Sequence, residues 1–242
     1  MNAHMKWVKD RTGRFAKRPH YLPEELDSKC EATISAFLKN RHGSTEFPIS
    51  TDDLTILVEQ STNTLDLYAE PSDLGVDVEG VTDFYPSRKP DVRINKRLAE
   101  DVRLENRLRT TLTHELGHVL LHGFMFDGVM RQDSLFDATE KAESNQCKRA
   151  TMLTTSETDW MEWQAGFACG AYLMPITALT RAVQQFTQKE GVHGPTIFLQ
   201  TDIGTALVDE VVKAFSVSRD AAKVRLLQRG FLAESTEVGS LF

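Results

Sequence analysis

"TTLTHELGHVLLHG", residues 110–123, places three histidines and one glutamate within fourteen positions of a chain that has seven histidines in all. At about 100° per residue on a helix, taking His114 as zero puts His118 near 40°, His122 near 80° and Glu115 near 100°. Leu112, Leu116, Val119 and Leu120 fall between roughly 140° and 240° on the same count, so the aliphatic residues back onto a core and the polar ones share another face. His114 and His118 stand one turn apart and can both reach one ion. Glu115 is rotated beside them, suited to a water on that ion rather than to the ion. The spelling follows the H-E-x-x-H motif. An amphipathic helix with an exposed polar face explains the aliphatic stripe equally well, but not the concentration of imidazoles.

A catalytic zinc takes three protein ligands and leaves a position open for water, so a further ligand is expected from a separate element. Glu162, in "DWMEWQAGFACGAYLMP" (159–175), is the candidate. Counted from Glu162 along a helix, Ala165, Gly166, Cys169 and Gly170 lie within about 80° of it. Surroundings that small let another helix approach until a short carboxylate reaches a shared ion. Two glycines inside a helix each cost up to about 1 kcal/mol relative to alanine, and close packing is a reason to bear that cost. The plainer alternative is a tight helix contact with Glu162 at its edge. Glu157 and Asp159 lie before or at the helix start, where acidic residues serve as caps.

Around these two helices the chain reads as one domain with short flanks. Residues 1–22 form a basic N-terminal arm, loosely held. The main domain, carrying both of these helices, is expected over 23–200, and a helix-turn-helix-like segment, packed on the core or appended to it, over 201–242. Helical spacing of Ala32, Ile34, Phe37 and Leu38 predicts a helix from Glu24 to about Lys39, ending near Gly43. Ser50 is placed to cap the next helix, and "TLDLYAE" alternates like a half-buried strand. Two short strands around Val81–Phe84 and Val92–Asn95 flank "YPSRKP" as a hairpin. Gly123 is expected to close the H-E-x-x-H helix, and 124–158 to be a polar, loop-rich insertion. Near the end, two helices meet at a short turn, with Ser218 capping the second and Gly230 closing it.

The bulk numbers narrow the function classes. A net charge of −7 argues against a protein that coats nucleic acid through overall charge. Cys30, Cys147 and Cys169 are widely spaced and odd in number, which suits a reducing compartment better than a disulfide framework. No stretch approaches the ~18 apolar residues of a membrane span, and no apolar run follows the basic N-terminus as a secretory signal requires. A cytoplasmic location with no membrane association is expected.

Together, "HELGHVLLH" (114–122) and "EWQAGFACGAYLMP" (162–175) resemble the ImmA/IrrE metallopeptidases. Their usual pattern is HELGHxxLH, then E-x-x-A-[ND]-x-F-A-x-x-L-L-M-P. The preceding hairpin is similar more weakly, as is "AFSVSRDAAKVRL" (214–226) to the family's common F-x-V-S…R-L ending. Gly166 stands where Asn or Asp is usual, Ala168 and Cys169 replace the Phe-Ala pair, and Tyr172 replaces a Leu. The resemblance implies an α+β zincin-like, gluzincin-type fold, with a small antiparallel sheet packed on the H-E-x-x-H helix and a helical C-terminal segment. It implies that His114, His118 and Glu162 bind zinc and that Glu115 is the catalytic base. It also implies a protein substrate such as a repressor or antitoxin, often encoded on mobile elements.

Other residues are weaker candidates. His122, one turn past His118, is placed to orient a ligand or a carboxylate. Tyr172 has the chemistry to stabilise an oxyanion, but core or rim packing competes for it. His193 sits between glycine-rich breaks, and Cys147 has no stronger claim than an inert thiol. An exposed strand edge beside the metal would pair with an extended peptide. The competing reading is a DNA-binding or regulatory module built on Arg219, Lys223, Arg225 and Arg229, with a structural or vestigial metal site. Against it, that segment offers only Gln228 among residues suited to reading bases.

Overall fold

A computed structural model describes residues 5–74, 77–133, 143–148, 159–192 and 196–234. The chain enters through a hairpin in which β1 (Lys6–Lys9) runs antiparallel to β2 (Lys17–His20). Asp10 shapes its turn, accepting from the backbone N–H of Thr12 at 2.9 Å and of Phe15 at 3.0 Å. Phe15 is thereby buried, edge-on against Phe126 and Trp160. The loosely held arm expected here is therefore docked over these residues. Lys6, Lys9, Arg11 and Lys17 stay exposed, so the hairpin is charged outside and apolar where Phe15 docks.

Next come α1 (Pro23–His42) and α2 (Thr51–Ser61). Leu26, Cys30, Ile34 and Leu38, four apart, form the buried stripe of α1. Gly43 ends α1 with φ 76°, a left-handed conformation that costs glycine nothing. Ser50 caps α2, its hydroxyl accepting from the Asp53 N–H at 3.0 Å. After β3 (Thr64–Ala69) and a short α3 (Pro71–Leu74) come β4 (Val78–Tyr85) and β5 (Arg88–Asn95), both longer than the expected strands. A short α4 (Lys96–Glu100) leads to α5 (Glu105–Asp133), which carries the H-E-x-x-H motif. Gly123 does not end α5. The helix continues because Met125 and Phe126 are buried, with Phe126 stacked on Phe84 of β4 at 3.9 Å.

Within the expected insertion, residues 143–148 form a strand, β6 (Glu143–Lys148). The sheet order is β3-β5-β4-β6. The expected antiparallel sheet is mixed: β4 is antiparallel to β5 and β6, whereas β3 is parallel to β5. β3 pairs with the returning strand of the β4–β5 hairpin and runs in the same direction as it. The edge expected to be open beside the site is also taken, since β6 pairs along β4 from Val78 to Phe84.

The remaining elements are α6 (Trp160–Leu173), α7 (Ile176–Lys189), β7 (Ile197–Phe198), α8 (Asp202–Phe215), α9 (Arg219–Gln228) and β8 (Leu232–Ala233). Ser218 caps α9, and Gly230 follows it at φ 71°. Leu207, Val211, Phe215 and Leu226 from α8 and α9 share one apolar cluster with Leu112 and Leu116 of α5 and Ala168 of α6. Arg225 of α9 is buried, donating to Asp27 of α1 and to the Met174 carbonyl at 3.2 Å. Arg229 meets the other oxygen of Asp27 at 3.0 Å, and Arg219 pairs with Asp209. The C-terminal helices thus pack on the core over the described residues. Among those residues no helix is long and apolar enough to cross a membrane.

Candidate metal centre

The polar face of α5 is not exposed. His114, Glu115, His118 and His122 each have 0% of their surface open to solvent. Leu112, Leu116 and Val119 are buried as the aliphatic stripe requires, whereas Leu120 is exposed. Both faces of α5 are covered, the polar one by α6 and β4. A buried imidazole or carboxylate needs a partner, so the plain amphipathic reading fails here.

Gly117 lets α6 come close. A Cβ at Gly117 would lie 3.0 Å from the Ala165 Cα and 3.3 Å from the Ala168 Cβ. The small residues of α6 were the right signal, but the glycine that the approach requires is on α5. Gly170 instead makes room for Arg225, whose Cδ would be 3.3 Å from an added Cβ. Asp159 caps α6, its carboxylate accepting from the Glu162 N–H at 3.4 Å, so Glu162 sits in a first turn that favours negative charge. Glu157 and His193 lie outside the described residues.

From that turn Glu162 reaches both histidines: Oε2 lies 3.2 Å from His114 Nε2, and Oε1 lies 3.1 Å from His118 Nε2. The two Nε2 atoms are 3.1 Å apart. Two ligand atoms bound tetrahedrally at about 2.0–2.1 Å stand about 3.4 Å from one another, so a small relaxation admits an ion. Two imidazoles and one carboxylate also leave coordination positions open. This buried group could hold a metal ion. Burial opposes the charge of the Glu162 carboxylate, but His118 and His114 outweigh it and hold its pKa well below the usual range. Burial likewise opposes a charge on His118, and the Glu162 carboxylate outweighs it, raising that pKa.

Glu115 lies beside this cluster, against β4. The Thr82 hydroxyl donates to its Oε2 at 2.5 Å, while its Oε1 has no hydrogen-bond partner among the described residues. Burial raises its pKa, an effect that His118, His114 and Thr82 only partly offset. Gly80, on the same face of β4, is the reason the carboxylate fits. A Cβ there would stand 2.5 Å from Glu115 Oε1 and 2.9 Å from Thr111 Cγ2. Gly80→Ala is expected to push the carboxylate off Thr82 and cost about 1–3 kcal/mol in urea unfolding; an unchanged unfolding midpoint would mean that β4 moves away freely.

Sequence reading missed Thr82, Gly80 and Gln164. A glycine inside a strand does signal close backbone approach, and it was the one available clue. His122 is where it was expected, with Nδ1 3.1 Å from His118 Nδ1 and Nε2 3.0 Å from Gln164 Oε1. Burial pushes its pKa well below the ordinary value. Trp160 stands edge-on to its ring at 5.4 Å. Tyr172 is not part of the site: it is 2% exposed and lies in the main core with Cys30 of α1. Its position on α6 turns it toward α1 instead. The backbone of Cys147 is in register opposite Gly80. No protein-family model matches the chain, and no curated protein matches its sequence.

Proposed function

We propose that the chain is a zinc-dependent endopeptidase of the ImmA/IrrE type with a zincin-like fold, acting in the cytoplasm on a regulatory protein such as a repressor or antitoxin. The observation that carries this reading is the pairing of two groups: three buried ligand atoms converging from α5 and α6, and the half-satisfied Glu115 carboxylate beside them. A metal held only for structure has no use for that second carboxylate. A zinc ion at this position supplies a Lewis acid and brings the pKa of a water from 15.7 towards about 7. Glu115 then accepts the proton of the attacking water through its bare Oε1 and passes it to the leaving amine. Thr82 holds the other oxygen and fixes the direction of the lone pair. Glu162 orients both imidazole Nε2 atoms towards one point.

The competing DNA-binding reading loses support from the commitments of three of its four basic residues. Arg225 is buried on Asp27, Arg229 also meets Asp27, and Arg219 pairs with Asp209. A recognition helix needs such side chains free for phosphates and base edges.

Two imidazoles and a carboxylate can also hold iron(II), so the test is elemental analysis of chain purified without chelator, beside Glu162→Ala. About one zinc per chain in the parent, lost or greatly weakened in the variant, is the expected result. Iron in its place, or no metal even after zinc is added back, would overturn the proposal.

A further inference from the structure

A chain of hydrogen bonds leads outward from His118, and its far end fixes which nitrogen of His122 carries a proton. Gln164 Nε2 lies 3.1 Å from the Pro19 carbonyl of β2. The Pro19 carbonyl can only accept, so the end of Gln164 that faces it must be the amide NH2. The other end, facing His122 Nε2 at 3.0 Å, is therefore the amide oxygen. That oxygen too can only accept, which places a proton on His122 Nε2. Across the ring, His122 Nδ1 faces His118 Nδ1 at 3.1 Å, and one of the two must donate. If His122 is neutral, its Nδ1 is bare and the donor is His118. His118 then donates through Nδ1, and Nε2 is the nitrogen it turns towards Glu162 and His114. A doubly protonated His122 would force the proton of His118 onto Nε2 and spoil it as a ligand.

We propose that Gln164 is a positioning residue which, oriented by the Pro19 carbonyl, fixes the His122 tautomer so that His118 donates through Nδ1 and presents Nε2 to the metal. The N-terminal hairpin thereby supports the metal centre through a backbone carbonyl. Gln164 is 1% exposed and His122 fully buried, so water does not compete for these bonds. Packing around the chain is aromatic, with Trp160 against the His122 ring and Phe15 against Trp160. This inference rests on the metal-centre reading, but its first readout does not need the metal.

The experiment is long-range 1H–15N correlation of the histidine rings in the full chain, metal-free and with zinc added, followed by zinc affinity by chelator competition in Gln164→Met. Methionine keeps the volume and removes both hydrogen bonds. His122 is expected as the neutral Nε2–H form in both samples, and Gln164→Met is expected to bind zinc about 10- to 100-fold more weakly while giving a mixture of His122 tautomers. A His122 proton on Nδ1, a doubly protonated ring, or zinc affinity in Gln164→Met within twofold of the parent would overturn the proposal. Should Gln164→Met fail to fold, the tautomer in the parent still decides. A parent that binds no zinc defeats the peptidase reading, and the metal-free spectrum judges the hydrogen-bond chain separately.

Discussion

Glu115→Gln is expected to keep the metal and lose roughly 10²- to 10⁴-fold in turnover, the usual contribution of a positioned general base. Glutamine has the same shape, and its amide oxygen can take the Thr82 hydroxyl that now donates to Oε2 at 2.5 Å. What it lacks is a basic lone pair where Oε1 now stands. The metal ligands belong to His114, His118 and Glu162, so zinc content should match the parent. Because burial opposes the charge of Glu115, the neutral variant should unfold, metal-free, at a temperature no lower than the parent's. That is the usual sign of a group kept for chemistry at the expense of stability. Mass-spectrometric cleavage of a peptide library, read with elemental analysis, checks both halves. Parental cleavage rates in Glu115→Gln would remove Glu115 from the reaction.

The second large effect lies away from the site. Asp27→Ala is expected to destabilise the fold by about 3–5 kcal/mol, because it leaves the Arg225 guanidinium buried without its counter-charge. For a chain of this size that is a fall of about 6 to 20 °C in Tm. Arg225 is 1% exposed; burial lowers its pKa from the ordinary value, and Asp27 offsets only part of that. The Met174 carbonyl and the face of Phe167, 5.2 Å from the guanidinium carbon, cannot replace a carboxylate. The double variant Asp27→Leu with Arg225→Met should recover most of the loss, since paired removal leaves no buried charge. A cost below about 1 kcal/mol for Asp27→Ala, measured by thermal unfolding, would show the pair to be better hydrated than its burial indicates.

How far the sequence could be read follows from how local each signal is. His114, His118 and Glu115 were legible because helix periodicity alone fixes their relative directions. Glu162 was legible because small residues one turn away announced a close neighbour. Thr82, Gly80 and Gln164 were not, since each acts through an element that arrives from a distant part of the chain. The same reason hid the sheet order: alternation marks β3, β4 and β5 as strands but says nothing about which pairs with which. In the N-terminal arm the count of lysines and arginines outweighed one buried Phe15 and the Asp10 turn beneath it. On α9 the basic residues look alike in the sequence, yet Arg225 shares its buried face with Ala222 and Leu226. Asp27, on α1, holds Arg225 and Arg229 but not Arg219, which pairs with Asp209.

The pair of Asp27 and Arg225 joins residues 198 positions apart. Glu115 and all three candidate ligands, His114, His118 and Glu162, lie between them in the sequence. During synthesis at about 5–20 residues per second, α1 waits on the order of 10 s or more for α9 to appear. Through that interval the apolar faces of α1 and α5 have no complete core to enter. Contacts of such long range slow folding as well, so the nascent chain is exposed to aggregation for longer than a protein stitched together by neighbouring elements.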